Sequence, residues 1–346
     1  MKLWHKLILL LISIGVILVL RTLYFAGSFK RLYPLGNFHE NLITGMIGAE
    51  DITIDRATGF AFVSSDDRRA TLAGRPVNGA IFLLRLSDKN PNPVSLTKNL
   101  KLPDFHPHGI SLYTHPADST KWLFVINHKK HAQVIEIFEF RDSLLIHRQS
   151  VENELIISPN DVVATGKNTF YFTNDHDSKG GVSSWKDFLV IGTGQLGYFD
   201  GEDVVILAKG IRYANGVQMS PDGKKIYVAA CTDGSILEYD VRPFKQTDRI
   251  KCNTGVDNLE WDEEGNLWVG AHTKMLAFLS HAKNGTNRSP SEVLKISFPQ
   301  NQPAAVKQIY LNDGNPLSGS SVAAFYRGNI YVGGVFDDGI SVLSPK

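Results

Sequence analysis

Six short stretches of this chain begin with residues able to do chemistry and continue as apolar, strand-like segments. They are "AEDITID" from Ala49, "PHGISLY" from Pro107, "PNDVVA" from Pro159, "ANGVQM" from Ala214, "VDNLEW" from Val256 and "GSSVAAF" from Gly319. Pooled, the entrances supply Glu50, Asp51, His108, Asn160, Asp161, Asn215, Asp257, Asn258, Ser320 and Ser321. These are carboxylates, amides and hydroxyls, with one imidazole and no thiol. Such a set suits a hard cation: calcium takes oxygen ligands, whereas zinc and the transition metals favour imidazole and thiolate. No EF-hand loop is present, so the site would be discontinuous. Asn and Asp also start strands simply as turn formers. The pairs Glu50-Asp51, Asn160-Asp161 and Asp257-Asn258 at three entrances favour ligands over turns. Adjacent carboxylates repel, and a divalent ion removes that penalty.

Two histidines stand near one entrance. His108 opens "HGIS", and His128 ends "FVINH", a strand that runs back towards His108. A hairpin places both imidazoles on one side, where a dyad could act as a general base near neutral pH. A hydrogen-bonded structural role is the alternative for each. His106 and His131 read as surface residues. No G-x-S-x-G elbow occurs, so serine-hydrolase chemistry on an α/β fold has no support.

Something must gather these far-separated entrances. Beyond about residue 40 the chain shows short alternating segments and turn signals such as Asp222-Gly223, with no long helical period. The six units recur every roughly 40 to 60 residues, the scale of one four-stranded propeller blade. The expected fold is therefore all-β, a six-bladed β-propeller over 29–346, with a β-sandwich pair as the alternative. In a propeller the first strand of each blade lines the central channel, so the entrances converge. The last unit has room for three strands, and the segment near Asn41–Ile47 could supply the fourth and close the ring.

The N-terminus differs. Leu7–Leu20 is apolar except for Ser13 and Gly15, preceded by Lys2 and Lys6 and followed by Arg21. Residues 1–28 read as an uncleaved signal-anchor helix, or else a cleaved signal peptide, since no A-x-A-like cleavage site follows. Both place the remainder outside the cytoplasm, membrane-anchored or secreted. Asn284 and Asn287 are glycosylation sequons whose use is open. The 36 basic and 35 acidic residues balance, which argues against a nucleic-acid partner. Only Cys231 and Cys252 could form a bridge, and separate buried thiols are the preferred reading.

At these residues the chain resembles the paraoxonase/arylesterase family of calcium-dependent lactonases. The motifs are "GAEDI", "HPHGIS", "VINH", "SPNDVVATG", "FTNDH", "YANGVQMSPDGKKIYVA", "VDNLEWDEEGNLWVG" and "GSSVAAFYRGNIYVG". The resemblance implies a six-bladed propeller with two calcium ions in its channel. It assigns Glu50, Asn160, Asn215, Asp257 and Asn258 to a catalytic calcium. It assigns Asp51, Asp161 and the carbonyl of Ile110 to a structural one. His108 becomes the base and His128 its partner, and Tyr213, Trp268, His272 and Asp175 become pocket residues. There are departures. Mammalian members tie their chain ends with a disulfide, and neither cysteine here lies near an end. The family's free thiol before the histidine of "WVGAH" is Ala271. The loop after Ser65, "DDRRATLAG", is far more charged than an apolar lid.

The expected function is calcium-dependent hydrolysis of lactones and aryl esters. The alternatives are a sugar-lactonase or strictosidine-synthase-like propeller, and a non-catalytic, membrane-tethered propeller stabilised by calcium.

Overall fold

The computed structural model describes residues 3–178, 186 and 189–346; Lys2, part of the basic flank, lies outside them. Six four-stranded antiparallel sheets are arranged as the blades of a propeller. The inner strands are Ala49–Asp55, Pro107–Thr114, Pro159–Ala164, Ala214–Met219, Gly255–Trp261 and Ser320–Tyr326. Each leads outward through a meander, because turn residues such as Asp222-Gly223 bring the chain straight back. The sixth blade completes itself differently. Its outermost strand is Phe38–Ile47, paired antiparallel with Asp338–Pro345. Strand pairing thus closes the ring, as the three-strand last unit requires. Cys231 and Cys252 are both free thiols.

Apolar side chains pack between blades. Ile52 and Val63 of the first blade share a core with Val322 and Tyr326 of the sixth. Phe124 and Ile137 of the second meet Phe170 and Phe172 of the third. Each such buried side chain contributes about 1.5–3 kcal/mol. The rigid ring they form fixes where the entrances stand.

Two local features shape the channel wall. First, every inner strand slips register against its neighbour at its entrance: between Ala49 and Asp51, Pro107 and Ile110, Pro159 and Val162, Ala214 and Val217, Val256 and Leu259, and Ser320 and Val322. Bulges of this kind re-aim side chains and break simple in–out alternation. Second, glycine follows the ligand-type residue where blades crowd. A Cβ on Gly109 would lie 2.6 Å from the Asn160 carbonyl, and one on Gly216 would lie 2.4 Å from the Asp257 carbonyl. Only glycine permits that approach.

The N-terminal helix α1, Leu3–Phe25, has no buried residue and is long and apolar enough to cross a membrane. Its base is docked. Arg21 donates to the carbonyls of Leu189 and Val190, at 3.0 and 3.2 Å. The amide of Met275 donates to Ala26 at 3.0 Å. Thr273, against which Gly27 packs, directly follows the strand end His272. The helix therefore leaves from the face that carries the entrances.

Candidate active site at the channel mouth

Glu50, Asn160, Asn215, Asp257 and Asn258 are all buried at the channel mouth. Asn258 Nδ2 donates to Glu50 Oε1 at 2.8 Å, and Ser321 Oγ donates to the Glu50 carbonyl at 2.6 Å. Four buried oxygens here have no hydrogen-bond partner: Glu50 Oε2, Asn160 Oδ1, Asn215 Oδ1 and Asn258 Oδ1. A buried acceptor without a donor costs about 1–3 kcal/mol. Four such atoms, from the first, third, fourth and fifth blades, form an all-oxygen donor set. That chemistry fits a calcium ion. Among the described residues no three or more His, Cys, Asp and Glu side chains group as a metal cluster. Three of the four orphaned oxygens are carboxamide, which a His, Cys, Asp and Glu grouping does not include.

One residue further along each strand, the environment changes. Asp51 accepts from the amide of Ile52 at 2.8 Å and, across the blade boundary, from that of Ile110 at 2.7 Å. Asp161 accepts from Val162 and, in the fourth blade, from Val217, both at 2.7 Å. Burial drives both carboxyls well above the usual range. The Asp161 charge adds to the shift of Asp51. Two buried carboxyls that repel each other when ionised also suit a divalent cation.

His108 Nδ1 lies 2.8 Å from His128 Nε2, and His108 Nε2 is 3.5 Å from Glu50 Oε1. The sequence-expected hairpin thus brings both imidazoles to the oxygen cage. His128 Nδ1 in turn bonds Gln133 Oε1. An amide oxygen carries no proton, so His128 Nδ1 donates to it. Nε2 of neutral His128 then accepts from His108 Nδ1–H, which leaves the lone pair on His108 Nε2, the atom facing Glu50. Burial and the His108 charge push His128 down to about 4, consistent with a neutral acceptor. Burial works against the Glu50 charge as well. When His108 is protonated, its Nε2–H faces Glu50, and its charge and hydrogen bond, together with the Arg68 guanidinium and the Asn258 amide, more than offset burial and bring the Glu50 carboxyl down to about 2.

His272 Nε2 sits 2.9 Å from Asp257 Oδ2, and its ring stacks on Phe278 with centroids 3.9 Å apart. Phe278 belongs to a short helix, Met275–Lys283, beside the mouth. Burial raises the Asp257 carboxyl, with His272 opposing. Asp175 is held by Ser158 Oγ and by His176 Nδ1, and the His176 ring meets Tyr213 edge-on at 5.3 Å. These four residues form one rim cluster.

Trp268 is not brought to the mouth. It lies at the far end of its strand, where its Nε1 donates to Asp262 at 2.8 Å and its ring stacks on Phe325. The strand Leu267–His272 carries only His272 at the entrance end. His106 also departs from expectation. It is buried, with Nδ1 2.8 Å from Asp66 Oδ1. His131 is exposed, as expected. Asn284 and Asn287 are exposed as well.

Fold and site together describe a propeller whose channel mouth joins an imidazole relay to a cage of buried oxygens. The Arylesterase family model matches residues 35–341, and the chain belongs to that family. It is 33% identical to serum paraoxonase/arylesterase 1 of Homo sapiens over 90% of each chain. It is 32% identical to serum paraoxonase/lactonase 3 of Oryctolagus cuniculus, again over 90% of each. Among solved structures, the calcium-binding protein regucalcin of Agrobacterium tumefaciens aligns with a TM-score of 0.54 at 14% identity, covering 91% of this chain and 98% of that one. That likeness is one of fold.

Proposed function

We propose that the protein is a calcium-dependent hydrolase of lactones and aryl esters, working at the channel mouth. The observation that carries this reading is the His108–His128–Gln133 chain, whose His108 Nε2 stands 3.5 Å from Glu50 Oε1, beside four partnerless oxygens. Family membership and the names of the relatives point to the same substrates. Glu50, Asn160, Asn215, Asp257 and Asn258 would hold one calcium ion. Asp51, Asp161 and the Ile110 carbonyl would hold a second, structural one. The first ion, when bound, supplies Lewis acidity to the ester carbonyl oxygen.

The chain's own residues supply the proton path. His108 Nε2 takes a proton from the water that attacks the carbonyl, and its Nδ1–H is steadied by His128 Nε2. The acyl C–O bond then breaks, and the leaving alkoxide or phenoxide recovers the proton from His108. Asn160, Asn215 and Asn258 bring oxygen without charge, so the Glu50 and Asp257 carboxylates alone would carry the negative charge of this ligand set. His272 orients Asp257. Asp175 and Tyr213 would border the substrate.

Helix α1 would anchor the enzyme in a membrane, with residues 1–28 as the anchor and 29–346 as an extracytoplasmic catalytic domain. Its docking on the entrance face would set the mouth close to the bilayer, beside exposed Leu276 and Leu279.

The test is direct. His108→Gln should lower kcat on phenyl esters and lactones about a hundredfold or more, with the melting temperature unchanged. Chelation should abolish turnover and lower the melting temperature together. Full activity after complete calcium removal would sink the mechanism; calcium stabilisation without turnover on any ester would favour a binding module.

A further inference from the structure

The charged loop after Ser65 places four ionic side chains in a row at the mouth, and the structure accounts for three of them internally. Asp66 binds His106 at 2.8 Å. Asp67 caps the short helix Arg68–Leu72 by accepting from the Ala70 amide at 2.9 Å. Arg69 donates to the carbonyls of Phe336 and His281 and lies 3.7 Å from Asp337, itself paired with His281 at 2.9 Å. The fourth, Arg68, points elsewhere. Its Nη1 donates to the Gly48 carbonyl at 3.2 Å and its Nη2 to the Pro107 carbonyl at 3.1 Å.

Those two partners decide where the cation stands. Gly48 is two residues before Glu50, and Pro107 is one before His108. The guanidinium therefore bridges the strand entrances that carry the oxygen cage and the base. Both hydrogen-bond partners are neutral carbonyls, and among the described residues Arg68 forms no ion pair. A guanidinium has five donors in a rigid fork. Two are used here, which leaves donors for a ligand. The side chain is half-buried, so its charge is screened less than on an open surface. Glu50 and Asp257 would balance the charge of the proposed ion, and Asp175 on the rim is engaged by His176 and Ser158.

We propose that Arg68 makes this site select lactones and esters that carry an anionic group, a carboxylate in the simplest case, on the part of the molecule outside the scissile bond. The inference rests on the hydrolase reading for its reaction and on Arg68 alone for its selectivity. It gives the charged loop a purpose that an apolar lid could not serve. It also makes Arg68 a specificity-determining residue, with Gly48 and Pro107 as its fixed mount.

The experiment uses full-length protein in detergent with calcium. Two γ-lactones are compared, one bearing a side-chain carboxylate and the other the isosteric carboxamide. A charge-assisted contact predicts a kcat/KM ratio of about tenfold or more in favour of the carboxylate. Arg68→Gln should collapse that ratio to about one, and Arg68→Lys should keep most of it. Raising the salt should shrink the ratio in the unmodified protein, a readout that needs no variant to fold. Calorimetry with the matching lactams reads recognition without ring opening and should give the same order. A ratio unchanged in Arg68→Gln, or a wild-type preference for the carboxamide, would overturn the proposal. No turnover of either lactone or of phenyl esters, with the lactam preference intact, would sink the hydrolase reading and leave Arg68 recognition standing.

Discussion

Two tiers of the channel are built from neighbouring residues and behave in opposite ways. In the upper tier, Glu50, Asn160, Asn215 and Asn258 each leave an oxygen buried and without a donor. In the lower tier, Asp51 and Asp161 use both carboxylate oxygens on backbone amides, one of them in the next blade. The lower tier stitches the first blade to the second and the third to the fourth. The upper tier stitches little and stays available. A single step along the strand separates a structural carboxylate from a chemical one, and the bulge at each entrance makes that separation possible.

The largest effect should come from breaking the lower tier. Asp161→Ala would leave the Val162 and Val217 amides buried without acceptors, at a cost of about 3–5 kcal/mol. Urea unfolding of the calcium-free protein measures it. The matching change above, Asn215→Ala, removes an amide whose oxygen has no partner. It should leave calcium-free stability nearly unchanged and lower lactonase kcat/KM about a hundredfold. Equal stability losses for the two variants would erase the distinction between the tiers.

Much of this arrangement is legible in the sequence because it lies on inner strands with a repeated template. Polar entrance, alternating strand and turn recur six times, and the short last unit points to closure by the N-terminal strand. Gly109 and Gly216 are visible as glycines, yet the carbonyls they make room for belong to other blades. Other features were hidden for physical reasons. Strict alternation puts Glu50 and Asp51 on opposite sides, but it does not contain the bulges that aim Asp257 at His272 and Asn258 at Glu50. Trp268 sits four residues from His272 in one strand, and that length alone carries it to the opposite rim. His106 looks like a polar loop residue until Asp66, forty positions away, is folded against it. Gln133 is an ordinary amide opening the third strand of its blade; only pairing of His128 with Gln133 across that hairpin reveals it.

Gln133 is therefore the next place to sharpen the comparison, because it touches neither tier and acts through His128. Gln133→Leu removes the acceptor that selects the His128 tautomer. It should lower kcat about tenfold, close to 1.4 kcal/mol, with KM and calcium-free stability little changed. Steady-state kinetics on one phenyl ester and one lactone would show it, and a KM effect alone would place Gln133 in binding.

The smallest effect belongs to the rim. The hydrogen bond that His106 Nδ1 donates to Asp66 raises His106 above its ordinary value, with burial opposing. A histidine raised in the folded state stabilises fully below its unfolded value of about 6.5, and that contribution fades as pH climbs through the raised folded value. The wild-type melting temperature should therefore fall by up to about 2 °C from this source above neutral pH. His106→Asn should lack that component. The pair lies off both tiers, so the component should persist with calcium bound and with calcium chelated. If chelation removes it, the Asp66–His106 rim belongs with the upper tier, and the charged loop is coupled to the cage as well as placed beside it.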